Sequence, residues 1–275
     1  MPSARRYHPA GHRVISSSVV TIATWNVNSI RTRLPRLLAW LERRRPDIVC
    51  LQETKVEDER FPVAELGGLG YRTLACGEKT YNGVAILSRS PGTDIVRCLP
   101  DDGADAQRRI LVTTIDGVRI VDVYAPNGGE LGSPRYAYKL EWYRRLRAFL
   151  AAAFDPGQDL VLCGDLNIAP DERDVWDPEQ WRGQVMCSEP ERECFRALVG
   201  WGLTDALRMH QPEAGGLYTW WDYRAGAFRR NRGLRIDHIL LSPSLAKRCS
   251  AVLIDREERK GARPSDHAPV IAAIP

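Results

Sequence analysis

The sequence predicts an α/β protein with a mainly antiparallel, two-sheet core covered by helices. Three observations carry this. Eight apolar runs rich in Val, Ile and Leu are bounded by turn residues. One pair of runs is joined by Asp116-Gly117, a dipeptide that readily takes the positive φ of a hairpin turn. Between the runs lie stretches with the 3.6-residue apolar period of amphipathic helices.

The apolar runs are 19–26, 47–52, 83–88, 109–115, 118–125, 159–164, 235–241 and 268–274. Val, Ile and Leu dominate them, so they read as strands with at least one buried face. Leu34, Leu37, Leu38 and Leu41 predict one helix, with arginines opposite and Pro35 in its first turn. Trp142, Leu146, Phe149, Leu150 and Ala153 predict a second, and Phe195, Leu198 and Val199 a third that ends near Gly200. No linker or repeat divides residues 19–275, which read as one domain. Residues 1–18 carry no acidic side chain and no apolar period, and read as a disordered basic tail. They lack the hydrophobic stretch of a secretory signal.

Bulk properties narrow the class. Of 275 residues, 44% are apolar, enough for a sizeable core, yet no run approaches the ~18 residues of a membrane span. Seven cysteines at 50, 76, 98, 163, 187, 194 and 249 include no C-x-x-C pair, which predicts buried reduced thiols in a cytoplasmic protein. Net charge is only +4. Arginines nonetheless gather at 31–45, 144–147 and 229–235. These groups fit phosphate clamps, and they fit general arginine-rich usage equally well.

The chemistry sits where polar residues interrupt the strands. Run 19–25 leads into Asn26-Val27-Asn28, and run 47–52 ends at Gln52-Glu53-Thr54. Run 118–123 delivers Tyr124, and run 159–163 delivers Gly164-Asp165-Leu166-Asn167. Asp237 interrupts 235–241, and Asp266-His267 precede the last run. Brought to one edge, these groups make an oxygen-lined pocket with one imidazole. Such donors suit a hard cation, Mg²⁺ or Mn²⁺, and not zinc. Taken singly, each has a plainer reading. Asp and Asn at strand ends are turn or cap residues, Glu53 a solvated charge, Tyr124 a core-edge tyrosine and His267 a structural histidine. Convergence decides between the two.

The ordered segments TWNVNSIR, IVCLQETK, YNGVAILS, VDVYAPNG, GDLNIAP, YTWWDYR, NRGLRIDHILLS and PSDHAPV resemble the exonuclease III family of abasic-site endonucleases. These belong to the wider endonuclease/exonuclease/phosphatase superfamily. The resemblance runs from residue 20 to 275. It implies a four-layered α/β sandwich and a Mg²⁺-dependent DNA-repair nuclease, with Mn²⁺ as a substitute. The implied reaction is hydrolysis 5′ to an abasic site to leave a 3′-hydroxyl, with accompanying 3′→5′ exonuclease and 3′-phosphatase activity. The implied partner is double-stranded DNA with abasic sites or blocked 3′ ends, met by a monomer in the cytoplasm at the nucleoid, with no membrane and no obligate protein partner.

The resemblance also implies roles. Glu53 resembles the principal metal carboxylate, with Asn26 beside it and Asp266 as a direct or water-mediated ligand. Asp165, Asn167 and His267 complete the implied metal set. Asp165 would position or deprotonate the attacking water, and Asn167 would hold the phosphate or that water. His267, oriented by Asp237, would donate to a phosphate oxygen. Tyr124 would reach the phosphate or the departing oxygen. Asn28, Arg31, Lys55, Tyr81, Asn82, Gly83, Asn127, Trp220 and Arg232 would contact DNA, Trp220 against the extruded baseless sugar. Of the adjacent Trp220 and Trp221, an extended backbone puts one in the core and leaves the other exposed. Tyr81-Asn82-Gly83 reads equally as a plain hairpin turn. Where some relatives carry an arginine that reaches across DNA, this chain has Gly128, Gly129 and Glu130. Two other readings keep the fold: a phosphoinositide, RNA or lipid substrate, and a catalytically silent DNA-binding scaffold.

Overall fold

In chain order, the computed structural model contains β1 (Val20–Asn26), α1 (Ile30–Arg44), β2 (Ile48–Gln52), α2 (Val63–Gly68), β3 (Arg72–Cys76) and β4 (Val84–Ser88). There follow β5 (Thr93–Val96), β6 (Ile110–Ile115), β7 (Val118–Tyr124), α3 (Pro134–Ala153) and β8 (Leu160–Asp165). The chain continues through α4 (Pro178–Trp181), α5 (Glu189–Gly200), β9 (Thr204–Asp205) and α6 (Ala206–His210). It ends with β10 (Asp237–Leu241), α7 (Pro243–Arg248), β11 (Ala251–Ile254) and β12 (Val270–Ile274). The structure describes residues 19–100, 102–103 and 107–275. The expected tail at 1–18 lies outside the described residues.

Two six-stranded sheets form, in the orders β11-β12-β1-β2-β4-β3 and β5-β6-β7-β8-β10-β9. Only β1–β2 and β7–β8 are parallel. In each case the strand pair brackets a crossover helix, α1 or α3, as a parallel connection requires. Asp116 and Gly117 take φ of 50° and 83°, and the hairpin they close pairs β6 with β7 from Ile110–Val123 to Ile115–Val118.

Strand alternation explains the layers. Along β1 and β2, Ile22, Ile48 and Cys50 face inward, where they meet Leu111, Ile120, Val161, Cys163 and Ile239 of the second sheet. The intervening Ala23, Trp25, Val49 and Leu51 pack against Ile30, Leu37, Trp40 and Leu41 of α1. On the far side, Trp142, Leu146 and Leu150 of α3 and Phe195 and Leu198 of α5 cover Val112, Val121, Leu160 and Leu162. Helix, sheet, sheet and helix make four layers, the expected sandwich. Burial of both sheet faces is why the sequence shows apolar runs and not simple alternation.

The structure corrects two local expectations. Helix α1 begins at Ile30, so Pro35 lies inside it and not in its first turn. The backbone N–H groups of Ser29 and Ile30 bond to the carbonyls of Glu53 and Thr54, and this anchorage starts the helix earlier than the leucine stripe shows. Strands β3, β5, β9 and β11 were not expected from the sequence. They are the four edges of the two sheets.

Among the described residues, no helix is long and apolar enough to cross a membrane. All seven cysteines are free thiols.

Candidate active site

The site is assembled where central strands of both sheets end. Asn26 closes β1 opposite Gln52 of β2. Tyr124 closes β7 opposite Asp165, and Asp237 opens β10 opposite the same Asp165. Each fold element therefore ends on a polar residue at one rim. Two glycines make the approach possible. A Cβ on Gly164 (φ 142°) would sit 1.9 Å from the Val123 carbonyl, and one on Gly83 (φ 91°) 2.1 Å from Thr54 Oγ1. Glu53 itself holds a left-handed φ of 51°, a strained conformation for a residue with a Cβ that commonly marks a functional position. Its neighbours secure it. Thr54 and Lys55 donate their N–H groups to the carbonyls of Gly83 and Asn82.

Asn26 is fully buried and links the carboxylates. Its Nδ2 donates to Glu53 Oε1 at 2.8 Å and to Asp165 Oδ2 at 2.9 Å. Asp165 Oδ1 accepts the N–H of Asn167 at 2.9 Å. His267 Nδ1 faces Asp237 Oδ2 at 2.9 Å, and its Nε2 lies 3.8 Å from Asp165 Oδ2. Glu53, Asp165 and His267 each present a donor atom within 4.8 Å of the others. Glu53 and Asp165 are oxygen donors suited to a hard cation, and Asn26 adds an amide beside them. The donor set thus fits a divalent metal, with Glu53 as the most accessible carboxylate. Asp266 is engaged otherwise: Asn28 Nδ2 donates to its Oδ1 at 2.9 Å and Trp220 Nε1 to its Oδ2 at 3.0 Å. That leaves one lone pair per oxygen for water or metal.

Electrostatics divide the acids from the bases. Burial would lower the His267 pKa, but Asp237 and Asp165 outweigh it and push it up, so the ring is held as imidazolium. Burial, with Asp237 and Glu53 adding, raises Asp165, while His267 opposes the shift. Burial first, and then the negative charges of Glu53 and Asp165, raise Tyr124. The result is a neutral hydroxyl, a charged imidazole and a carboxylate more basic than in water.

The remaining sequence-predicted residues fall into two groups. Lys55 Nζ bonds Glu53 Oε2 and Asn28 Oδ1, both at 2.7 Å. Asn127 Nδ2 reaches Asn167 Oδ1 at 3.2 Å, while Asn167 Nδ2 is held by the Ala125 carbonyl. These join the centre. Trp221 is wholly buried, as expected of one of the pair, whereas Trp220 is half-buried and not exposed as expected. Arg31, Tyr81 and Arg232 lie exposed at the periphery. Arg232 is stacked 4.6 Å over Trp176. Asn82 lines a cleft beside Tyr124.

The arginine groups are mostly structural. Arg36 and Arg43 pair with Glu258, Arg44 with Asp255 and Arg145 with Asp102. Arg235, fully buried, is clamped by Asp174 and Asp205. Arginine usage as scaffold accounts for these positions.

Sequence reasoning missed Lys139. Its buried ammonium donates to the carbonyls of Asn127 at 3.1 Å and Asn167 at 2.7 Å. Burial lowers its pKa and Glu191 raises it. The signal was present, since Lys139 sits on the apolar face of α3, three residues before Trp142. Ser265 was missed too; its Oγ donates to the Asn26 carbonyl at 2.7 Å and accepts from His267 N.

The profile described as the Endonuclease/Exonuclease/phosphatase family matches residues 23–267. Exodeoxyribonuclease III of Haemophilus influenzae is 35% identical over 260 residues, covering 90% of this chain and 97% of that protein. Among solved structures, the 3′ phosphatase NExo from Neisseria, bound to a product DNA hairpin, is 46% identical with a TM-score of 0.89. An AP endonuclease from Archaeoglobus fulgidus is 39% identical with a TM-score of 0.90. Each covers 93% of this chain and 99% of its own.

Proposed function

From the chain's membership of the endonuclease/exonuclease/phosphatase family, we propose a Mg²⁺-dependent DNA-repair nuclease. It hydrolyses the phosphodiester 5′ to an abasic site, leaving a 3′-hydroxyl, and also trims blocked 3′ ends. The observation that carries this is the convergence of Glu53, Asp165 and His267 within 4.8 Å, beside a partly exposed Trp220 tied to Asp266.

Glu53 would be the first metal ligand, with Asn26 and Asp165 adjacent and Asp266 as a further carboxylate nearby. Mg²⁺, or Mn²⁺ in its place, would supply neutralisation of charge on the phosphoryl oxygens. The chain's own groups do the rest. Asp165, its oxygens fixed by Asn26 and the Asn167 N–H, orients the attacking water and takes its proton. Its raised pKa makes that transfer effective near neutrality. His267 stays charged and donates from Nε2 to a phosphate oxygen, its Nδ1–H held by Asp237. Tyr124 stays protonated and donates to the phosphate or the departing oxygen. Asn167 offers its remaining amide N–H. Such fixed donors stabilise developing negative charge without reorganising. Trp220 forms the wall against which a baseless sugar packs, and extruding such a nucleotide costs less than extruding a paired one.

A second reading puts the weight on 3′ ends. The Neisseria protein described as a 3′ phosphatase is more identical to this chain, at 46%, than the Archaeoglobus AP endonuclease, at 39%. The same groups would then act on a terminal phosphomonoester. One experiment separates the two. A duplex with a tetrahydrofuran abasic analogue and a nicked duplex with a 3′-phosphate are each incubated with Mg²⁺ or EDTA. Metal-dependent incision 5′ of the analogue supports the first reading; phosphate release alone supports the second. Inactivity on both, with binding intact, overturns both. The proposed partner is double-stranded DNA, engaged by a monomer in the cytoplasm.

A further inference from the structure

Beside the carboxylate centre, and sharing Tyr124 with it, lies a cleft of about 530 Å³ lined by Lys79, Tyr81, Asn82, Arg109, Arg135 and Tyr138 among others. We propose that this cleft is a second phosphate site, which grips a backbone phosphate of the bound DNA near the one that is cut. The inference rests on the DNA reading above and adds to it three cations: Lys79, Arg109 and Arg135.

Arg109 is the fixed member. Its guanidinium lies 4.7 Å over the Tyr124 ring and donates to the Tyr124 carbonyl and to Gln107. One cation is thereby tied to a residue of the reacting centre. Arg135 and Lys79 stand at the lip of the cleft, both exposed, and neither makes a side-chain hydrogen bond or ion pair among the described residues. This sets them apart from the arginines bound to Asp255, Glu258, Asp102 and Asp174. Unpaired cations facing a shared cleft await an anion, and a planar guanidinium suits a phosphodiester.

Local structure aims Arg135. It is the second residue of α3, a 20-residue helix whose N-cap is Ser133. Its aliphatic stem runs along Gly129, whose hydrogen faces it where a Cβ would be 3.4 Å from Arg135 Cδ. The helix N-terminus adds its own partial positive charge to the same lip. Tyr81, 70% exposed, supplies an aromatic face near the phosphate for a sugar or base. Glu78 is the one acid of the lining, and it accepts the Asn82 amide. Glu130, which follows Gly129, faces solvent and does not line the cleft. Arg135 thus brings to this loop the positive charge that Glu130 does not.

The test is a neutralisation scan. In a duplex with the tetrahydrofuran analogue, single phosphates on either side are replaced by methylphosphonate. Dissociation constants are measured in EDTA for the parent, Arg135→Ala, Arg135→Lys and Lys79→Ala. Arg135→Ala is expected to weaken the all-phosphate duplex about five- to ten-fold and to lower the salt slope by about one. Arg135→Lys should recover part of the loss. At one position, neutralising the phosphate should cost the parent a similar factor and cost Arg135→Ala almost nothing, since the two changes remove one interaction. Full additivity at every position, or parent-like binding by both alanine variants, would overturn the proposal. Cutting by the parent in Mg²⁺, run in parallel, tests the DNA reading separately.

Discussion

Lys139 and Glu191 form an ion pair in which neither side chain has any exposed surface. Glu191 also accepts the N–H groups of Met186 and Ser188 at the start of α5. The pair therefore ties two helices to the carbonyls of Asn127 and Asn167.

Removing one partner strands the other. Lys139→Met should cost about 3–5 kcal/mol of stability, because Glu191 keeps a buried, uncompensated charge. Adding Glu191→Gln should restore most of that while preserving the acceptor at the helix start. Single-turnover kinetics of the double variant should still show a loss of about ten-fold, since both asparagine carbonyls lack their donor. Recovery of stability and rate together would mean the lysine positions nothing.

Asp165→Asn keeps the shape of the site and removes its base. The variant should bind abasic duplex within a few-fold of the parent and cut it about 10³-fold more slowly. Equal cutting would remove Asp165 from the mechanism.

Glu53→Gln should shift the metal dependence. Half-maximal rate should need about 10–100 times more Mg²⁺, with partial recovery at saturation. An unchanged metal titration would move the principal ligand elsewhere.

Two buried histidines of opposite character set the pH behaviour. His238 Nε2–H donates to the Ile168 carbonyl at 2.9 Å, and its Nδ1 faces the Arg235 guanidinium at 3.0 Å. Burial, and then Arg235, lower its pKa to about 4. The unfolded chain therefore binds the extra proton between about pH 6.5 and 4, so stability falls as pH drops through that window. Relative to the parent, a His238→Asn variant should lose less stability on acidification from pH 7 to 4, by about 2–3 kcal/mol in urea titrations. His267 has the opposite sign. Its raised pKa contributes stability that is present below the unfolded value and lost as pH rises through the folded one. Its signature therefore belongs to the alkaline side.

The sequence shows the centre of this fold far better than its margins. All eight strands read from apolar runs are there, six of them ending or beginning at the site. The missing four are edge strands, where one side meets solvent or a loop. Arg72–Cys76 and Thr93–Val96 accordingly mix charge, Thr and apolar residues. Convergence was the other thing the sequence lacked. Asn26 and Asp165 are 139 residues apart, and only the stacking of two sheets brings them to hydrogen-bond distance. Resemblance supplied what periodicity did not. It was silent on Lys139, whose partners lie on three other elements.

That same Asn26–Asp165 hydrogen bond has a mechanical consequence. One member rides on each sheet, and the sheets are kept in register by an apolar interlayer of Ile22, Cys50, Ile120 and Cys163 and by the buried Gln52–Asp122 hydrogen bond. Shear of one slab past the other by an ångström would leave every strand ladder intact. The reacting groups, however, would be pulled apart. In this molecule catalysis is the finer strain gauge of the interior, and a methyl group deleted far from the rim will be felt first in turnover.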